Sequence, residues 1–307
     1  MGKIAFVFAG QGAQYTGMGA ELYKYSAAAR DVYDMCDSIR PGTSRLCFEG
    51  SAEELAVTEN TQPAMFATDL ACAAALCEAG IKPDMAAGFS LGEVAAAAFT
   101  SLTDRKSAFE FVIKRAQAMQ RCAAANPGAM AAVLKLTNEK VEAICAGFSN
   151  VWPVNYNCAG QVSVAGSARE MPELIKAVAE NGGRAIPLAV SGAFHSPFMA
   201  DAAAELASYL EGVDLKTPDI SLYANMTACP YGGDMKALLS GQVKSPVLWE
   251  RTVRAMAEAG ADSFYEVGPG KVLSGLIRRI LPGVPVYNVE NVQTLEQAVS
   301  AYKAADA

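Results

Sequence analysis

Three residues of this 307-residue chain stand where a side chain could do chemistry: Ser90, His195 and Arg115. Ser90 lies between two glycines in Gly88-Phe89-Ser90-Leu91-Gly92. In a G-x-S-x-G elbow the chain leaves a strand, turns sharply and enters a helix, and the glycines let it pass without Cβ clashes while the hydroxyl is held at the apex. The short, largely apolar Pro83-Asp84-Met85-Ala86-Ala87 before the motif and the alanine-rich Glu93–Phe99 after it suit that context. The helix start would also bring amide N–H groups and the positive dipole end beside Ser90. Taken alone, the five residues fit an inert Gly-Ser turn equally well. An activated serine needs a base that titrates near neutrality, and His195, in the stretch SGAFHSPFM (191–199), is the only histidine. A lone histidine is more often a surface or satisfied core residue, so its weight comes from the pairing with Ser90. No acid is assigned as a third member. Asp201 falls a turn or two into a following helix, and a backbone carbonyl could orient the imidazole instead. Arg115 has Phe111, Val112, Ala118 and Met119 at helical spacing, which turns its guanidinium inward, whereas Lys114 lies near Glu110 and Gln117 on a solvated face. A buried guanidinium needs an anion or several carbonyls. It is then either a structural salt bridge or a fork for a substrate carboxylate.

The elements that must hold these residues form two patterns. Residues 3–9 read as a buried strand leading into the glycine loop GQGAQYTGMG, and helices are predicted over 20–36, 63–79 and 104–123. From Asn126-Pro127-Gly128 the texture changes. GAMAAVLKL (128–136) reads as a strand, TNEKVEAICAGF as a capped helix, and 151–167 as two strands around a Cys-Ala-Gly turn. MPELIKAVAENGG (171–183) reads as a helix and RAIPLAV (184–190) as a strand. That β-α-β-β-α-β order is ferredoxin-like. ISLYAN (220–225) and SFYEVG (263–268) then return to core strands. The expected fold is α/β: a core of residues 1–125 and 192–307 carrying a small inserted subdomain of residues 126–191.

Bulk properties narrow the class. Hydrophobic residues make up 52% of the chain and charged residues 19%, as in a globular protein with a large core. A net charge of −7 argues against nucleic-acid binding. Lys3 precedes only the short apolar run Ile4–Ala9, read as a strand and not as a secretory leader, and no run is apolar enough to cross a membrane. The eight cysteines contain no C-x-x-C pair and fit reduced core thiols of a cytoplasmic protein. A single histidine excludes a histidine-rich metal site. The loop Gly10-Gln11-Gly12-Ala13-Gln14 lacks the dinucleotide-binding spacing and suits a backbone donor to an oxyanion better.

These pieces occur in the order FAGQGAQ, TQPA (61–64), GFSLGE (88–93), Arg115 with AMQ following, GAMAAVL, NCAGQVSVAG, GAFHSP, SPVLW and YEVGPGKVL. In that order, over nearly the whole chain, they resemble the malonyl-CoA:acyl carrier protein transacylases of type II fatty-acid synthesis. The resemblance implies an α/β-hydrolase-like core with a ferredoxin-like insert. It implies Ser90 as nucleophile, His195 as its base, the Gln11 and Leu91 backbone N–H groups as oxyanion hole, Arg115 as clamp for the malonyl carboxylate and Gln161 as a site-lining amide. It places the carbonyl that orients the histidine at Leu248. It also implies malonyl-CoA and CoA as small-molecule partners, an acidic acyl carrier protein as macromolecular partner, and no bound cofactor or metal. Nothing in it calls for more than a monomer. Two positions bear on specificity. The elbow has Phe89 where the family usually has histidine, which removes a polar neighbour of Ser90. Phe194 before the histidine accompanies malonyl choice in related polyketide acyltransferases, a preference of about 1–3 kcal/mol against an α-methyl. Arg184, Lys244, Lys271, Arg278 and Arg279 are the candidate carrier contacts.

The same elbow would also serve a serine esterase or thioesterase that passes the acyl group to water. Arg115, the glutamine loop and the missing acid weigh against it. A trans-acting acyltransferase of a polyketide synthase would share the chemistry and differ in the carrier. A non-catalytic binding module would require that Ser90 never acylates.

Overall fold

The computed structural model describes residues 2–190 and 192–306, so Ser191, the first residue of the histidine stretch, lies outside the description. A parallel five-stranded sheet forms the core: β1 (Lys3–Phe8), β2 (Met85–Gly88), β7 (Ser221–Tyr223), β8 (Ala261–Val267) and β9 (Val286–Val289), in the order β7-β2-β1-β8-β9. β1 is buried from Ile4 to Phe8 with no polar alternation, as expected of a central parallel strand covered on both faces. Its register places Phe8 opposite Gly88 of β2 and opposite Val267 of β8. The loops that follow these three strands therefore emerge side by side at the carboxyl edge, where open α/β sheets place their sites.

The remaining strands, β3 (Gly128–Leu134), β4 (Val151–Cys158), β5 (Gln161–Ser167) and β6 (Arg184–Pro187), form a separate sheet in the order β4-β5-β3-β6. Every pairing in it is antiparallel. With the helices Asn138–Cys145 and Met171–Glu180 this is the ferredoxin-like β-α-β-β-α-β unit, and the whole is an α/β-hydrolase-like core with that insert. The insert is tied to the core by main chain: Tyr156 N–H donates to the Val247 carbonyl at 2.9 Å and Val247 N–H to the Val154 carbonyl at 2.8 Å.

Three local expectations shift. The strand predicted over 184–190 ends at Pro187, and Leu188 and Val190 instead line the cavity over Ser90. The helix predicted over 20–36 is two helices, Ala20–Tyr25 and Ala27–Ile39. Ser26 divides them, its hydroxyl accepting the Ala29 N–H of the second. The helix predicted from Pro63 runs from Thr58 to Glu78, with the proline inside it. That earlier start brings Gln62 onto the buried helix. No helix among the described residues is long and apolar enough to cross a membrane.

Candidate active site

Ser90 occupies the apex between β2 and the helix Leu91–Phe99, at φ 54 and ψ −106. That conformation is costly for a residue with a side chain, by about 1–3 kcal/mol, and persists because its surroundings over-determine it. The turn is too tight for anything but glycine two positions to either side of Ser90. A Cβ on Gly88 would lie 1.9 Å from the Gly92 carbonyl carbon, and one on Gly92 would lie 2.2 Å from the Phe8 carbonyl oxygen. Asn225, just beyond β7, braces the apex. Its Oδ1 accepts the Ser90 N–H at 2.7 Å and its Nδ2 donates to the Gly88 carbonyl at 2.6 Å.

The structure brings Ser90 and His195 together across 105 residues: Oγ and Nε2 are 2.6 Å apart. On its other side the imidazole meets only carbonyls, with Nδ1 3.0 Å from Gln242 O and 3.2 Å from Ser245 O. Two acceptors at Nδ1 require the proton to sit there, which leaves Nε2 free to accept from the serine hydroxyl. Among the described residues no carboxylate is hydrogen-bonded to the ring. The carbonyl expected to play this part, that of Leu248, does not reach it. It accepts instead from Thr252 N–H and Thr252 Oγ1, within the helix Trp249–Glu258 that it caps. The first turn of a helix uses its own early carbonyls, so the orienting acceptors come from the segment before it. Burial, and then the nearby Arg115 charge, push the His195 pKa down to about 4, so the ring is neutral at physiological pH.

Arg115 is 1% exposed on the helix Arg105–Ala125. Among the described residues it contacts no carboxylate. Nη1 donates to Gln62 Oε1 at 2.6 Å, and Nη2 to Gln242 Oε1 at 2.8 Å and to Ser90 Oγ at 3.2 Å. Three of the five guanidinium N–H donors are thus spent on neutral oxygens, and Nε has no acceptor among the described residues. Burial lowers the Arg115 pKa to about 10, so it remains a cation. The salt-bridge alternative is set aside by these contacts.

A cavity of about 100 Å³ lies over these groups, lined by Ser90, Arg115, His195 and Phe194, with Met119, Met130 and Val190 among its apolar walls. It shares Gln11, Phe89, Asn155 and Leu188 with an outer cavity of about 260 Å³ that runs toward Asn157, Gln161, Ser163 and Val272. Gln11 follows β1 and Leu91 begins the helix after Ser90, and neither backbone N–H has an acceptor among the described residues. Gln161 lines the outer cavity and not the inner one; its Oε1 accepts from Arg279 Nη1 at 2.6 Å. Phe89 stands where the two cavities meet, its ring edge-on to Trp249 with centroids 5.5 Å apart. Among the cationic residues considered for the carrier, Arg279 and Lys271 adjoin the outer cavity through Gln161 and Val272. Lys244 lines a different surface groove with Glu211 and Asp234, and Arg278 is tied to the Val286 carbonyl. Arg184 is exposed at the start of β6.

Sequence reasoning missed Gln242 and Asn225 and gave no role to Gln62. Gln62 carried a signal, since it belongs to TQPA. Gln242 and Asn225 carried none, being ordinary amides brought to Ser90 from more than a hundred residues away. Among the described residues no group of three or more histidines, cysteines or carboxylates is placed to hold a metal ion.

Residues 5–298 match the family model described as an acyl transferase domain. The malonyl CoA-acyl carrier protein transacylase of Bacillus subtilis (strain 168) is 38% identical, over 99% of this chain and 98% of its own length. The crystal structure of the malonyl CoA-acyl carrier protein transacylase from Clostridium perfringens is similar at a TM-score of 0.96 and 34% identity, covering 99% of this chain and 98% of that one. A malonyl-transacylase solved in complex with the acyl-carrier protein of a type II polyketide synthase has a TM-score of 0.93 at 32% identity, with 97% of this chain and 99% of that chain covered. With its elbow serine, carbonyl-oriented histidine and buried arginine, the chain belongs to the acyl transferase family, among the malonyl CoA-acyl carrier protein transacylases.

Proposed function

We propose that the protein moves the malonyl group from malonyl-CoA to the phosphopantetheine thiol of an acyl carrier protein through a malonyl-Ser90 intermediate. The observation that carries this reading is the buried guanidinium of Arg115, 3.2 Å from Ser90 Oγ, uncompensated by any direct carboxylate and with donors unspent. A hydrolase for neutral acyl groups has no use for a desolvated cation beside its nucleophile. A receptor for an acyl group ending in a carboxylate needs one.

The steps follow from the contacts. Ser90 Oγ attacks the thioester carbonyl carbon while its proton passes to His195 Nε2. The negative charge forming on the carbonyl oxygen is met by the backbone N–H groups of Gln11 and Leu91, each worth on the order of a hundred-fold or more in rate. Collapse breaks the C–S bond, and the departing CoA sulfur takes the proton from His195. In the second half the pantetheine thiol gives its proton to His195 and its sulfur attacks the acyl-serine carbonyl. Ser90 leaves and recovers the proton. A malonyl carboxylate resting on Arg115 also neutralises the charge that depresses His195, so the base strengthens when the correct substrate is bound. Phe194, Met130 and Val190 close the inner cavity around a small acyl group and favour malonyl over bulkier α-substituted units. The amides of Asn155, Asn157 and Gln161 suit the amide-bearing pantetheine arm in the outer cavity. The Oδ1 atoms of Asn155 and Asn157 have no partner among the described residues. Arg279 and Lys271, beside that cavity, are the contacts proposed for an acidic carrier. Cytoplasmic residence, action without a bound cofactor and function as a monomer belong to the same reading.

The test is intact mass after brief exposure to malonyl-CoA, with Ser90→Ala in parallel. The expected outcome is one added malonyl group on the wild type, none on the variant, and release of the adduct to holo carrier protein. CoA release with free malonate and no transfer would identify a hydrolase. Absence of both adduct and CoA release would leave a binding role.

A further inference from the structure

One buried carboxylate near the site has no part in the steps above. Glu93, on the first turn after the elbow, is 0% exposed. Three donors converge on it: Tyr231 Oη at 2.5 Å on Oε1, and Gln242 Nε2 at 2.7 Å and Asn225 N–H at 3.3 Å on Oε2. Oε2 must accept, since both groups facing it are N–H donors, while Oε1 shares a hydrogen with the Tyr231 hydroxyl. Burial raises its pKa to about 7, and the three hydrogen bonds oppose that rise.

The consequence lies one residue away. Gln242 Nε2 faces two acceptors, Glu93 Oε2 at 2.7 Å and the Ser90 carbonyl at 2.6 Å. The amide is therefore locked with its oxygen on the opposite side, 2.8 Å from Arg115 Nη2. Were the amide reversed, its NH₂ would confront the guanidinium donors. A carboxylate in direct contact with Arg115 would fill the receptor it is meant to leave open. Placed behind an amide, it compensates the buried cation and leaves two guanidinium N–H donors, on Nε and Nη1, without an acceptor among the described residues.

We propose that Glu93 is a positioning residue for acyl-group selection: through the locked Gln242 amide it holds the Arg115 guanidinium in the place where an acyl carboxylate is received. This rests on the reading of Arg115 given above. The groups facing Glu93 are Tyr231, Gln242 and Asn225, with Arg115 the nearest cation beyond them. The imidazole is not among them, so the effect falls on the carboxylate-bearing substrate more than on the base.

The experiment compares the rates of acyl-Ser90 formation from malonyl-CoA and from acetyl-CoA in the full-length protein. Glu93→Gln and Glu93→Asp are each expected to lower the malonyl-to-acetyl ratio on the order of ten-fold. Gln keeps the size and loses the charge, whereas Asp keeps the charge and loses the reach to Gln242, so a role in positioning harms both. An aspartate variant with the wild-type ratio, or a glutamine variant that favours malonyl more strongly, would show that charge alone matters and overturn the proposal. Equal losses on both substrates would make Glu93 merely structural. If neither variant folds, Tyr231→Phe decides the matter: it removes one of the three donors and should lower the ratio about three-fold, and no change overturns the proposal. Arg115→Ala is measured alongside. A ratio unaffected by Arg115→Ala sinks the clamp itself. A ratio that collapses there and is untouched by the Glu93 variants sinks only the role of Glu93.

Discussion

The two sheets of this molecule divide the work unequally. The parallel core carries Ser90, Arg115, His195 and the amides that bind them to one another, almost all buried, on an elbow whose glycines have no room for a methyl group. The antiparallel insert carries none of the proposed reacting atoms. It supplies one wall of the cleft, through Met130, Asn155, Leu188 and Val190 in the inner cavity and Asn157, Gln161 and Ser163 in the outer one. The difference shows which parts of such a site must be rigid. A strained nucleophile and a desolvated cation survive only where packing over-determines them. A surface that receives a long, flexible substrate arm needs shape and a few unspent hydrogen-bonding groups.

The sharpest way to break this comparison is a matched pair of glycine substitutions. Gly92→Ala, in the core, forces a Cβ to within 2.2 Å of the Phe8 carbonyl and is expected to cost about 3 kcal/mol or more and to abolish acylation of Ser90. Gly160→Ala sits in the β4–β5 turn of the insert at φ +72 with open space around it, and should cost about 1 kcal/mol with acylation intact. Urea melts and intact mass read both. Similar losses from the two would remove the distinction.

A comparable effect is expected from acid. His195 is buried with its pKa lowered to about 4 from the ordinary 6.5, so the unfolded chain binds a proton where the folded one does not. The stability this represents is present above about pH 6.5 and is lost as pH falls toward 4, by about 3 kcal/mol in all. Glu93, raised from 4.5 to about 7, has the opposite sign and loses its contribution as pH rises through that range. Stability against pH for the wild type and for His195→Gln isolates the histidine, whose removal should flatten the fall between pH 6.5 and 4. An unchanged slope would mean that the imidazole is protonated in the native state.

The smallest effect belongs to the outer cavity. Asn157→Ala and Gln161→Ala should raise the malonyl-CoA KM a few-fold and leave the rate of Ser90 acylation at saturation within about two-fold, in keeping with uniform binding of the arm. A fall in that saturating rate would give the insert a part in the chemistry and blur the division between the two sheets.

The sequence by itself determined the elbow, because a strand, two glycines and an alanine-rich helix are adjacent in the chain and their sterics are local. It determined the inward turn of Arg115, because helical periodicity alone shows which face is apolar. The four strands and two helices of the insert were legible for the same reason, each turn and cap lying within a few residues. Only the tertiary structure decided what the charges touch. It put Gln242 between Ser90, Arg115 and Glu93, gave the orientation of His195 to the carbonyls of Gln242 and Ser245 and not to that of Leu248, and moved Gln161 to the outer cavity. It also made Leu188 and Val190 a cavity wall where periodicity predicted strand. These contacts join residues 47 to 152 positions apart through neutral amides and backbone carbonyls, groups that every part of the chain possesses. Only folding decides which of them meet.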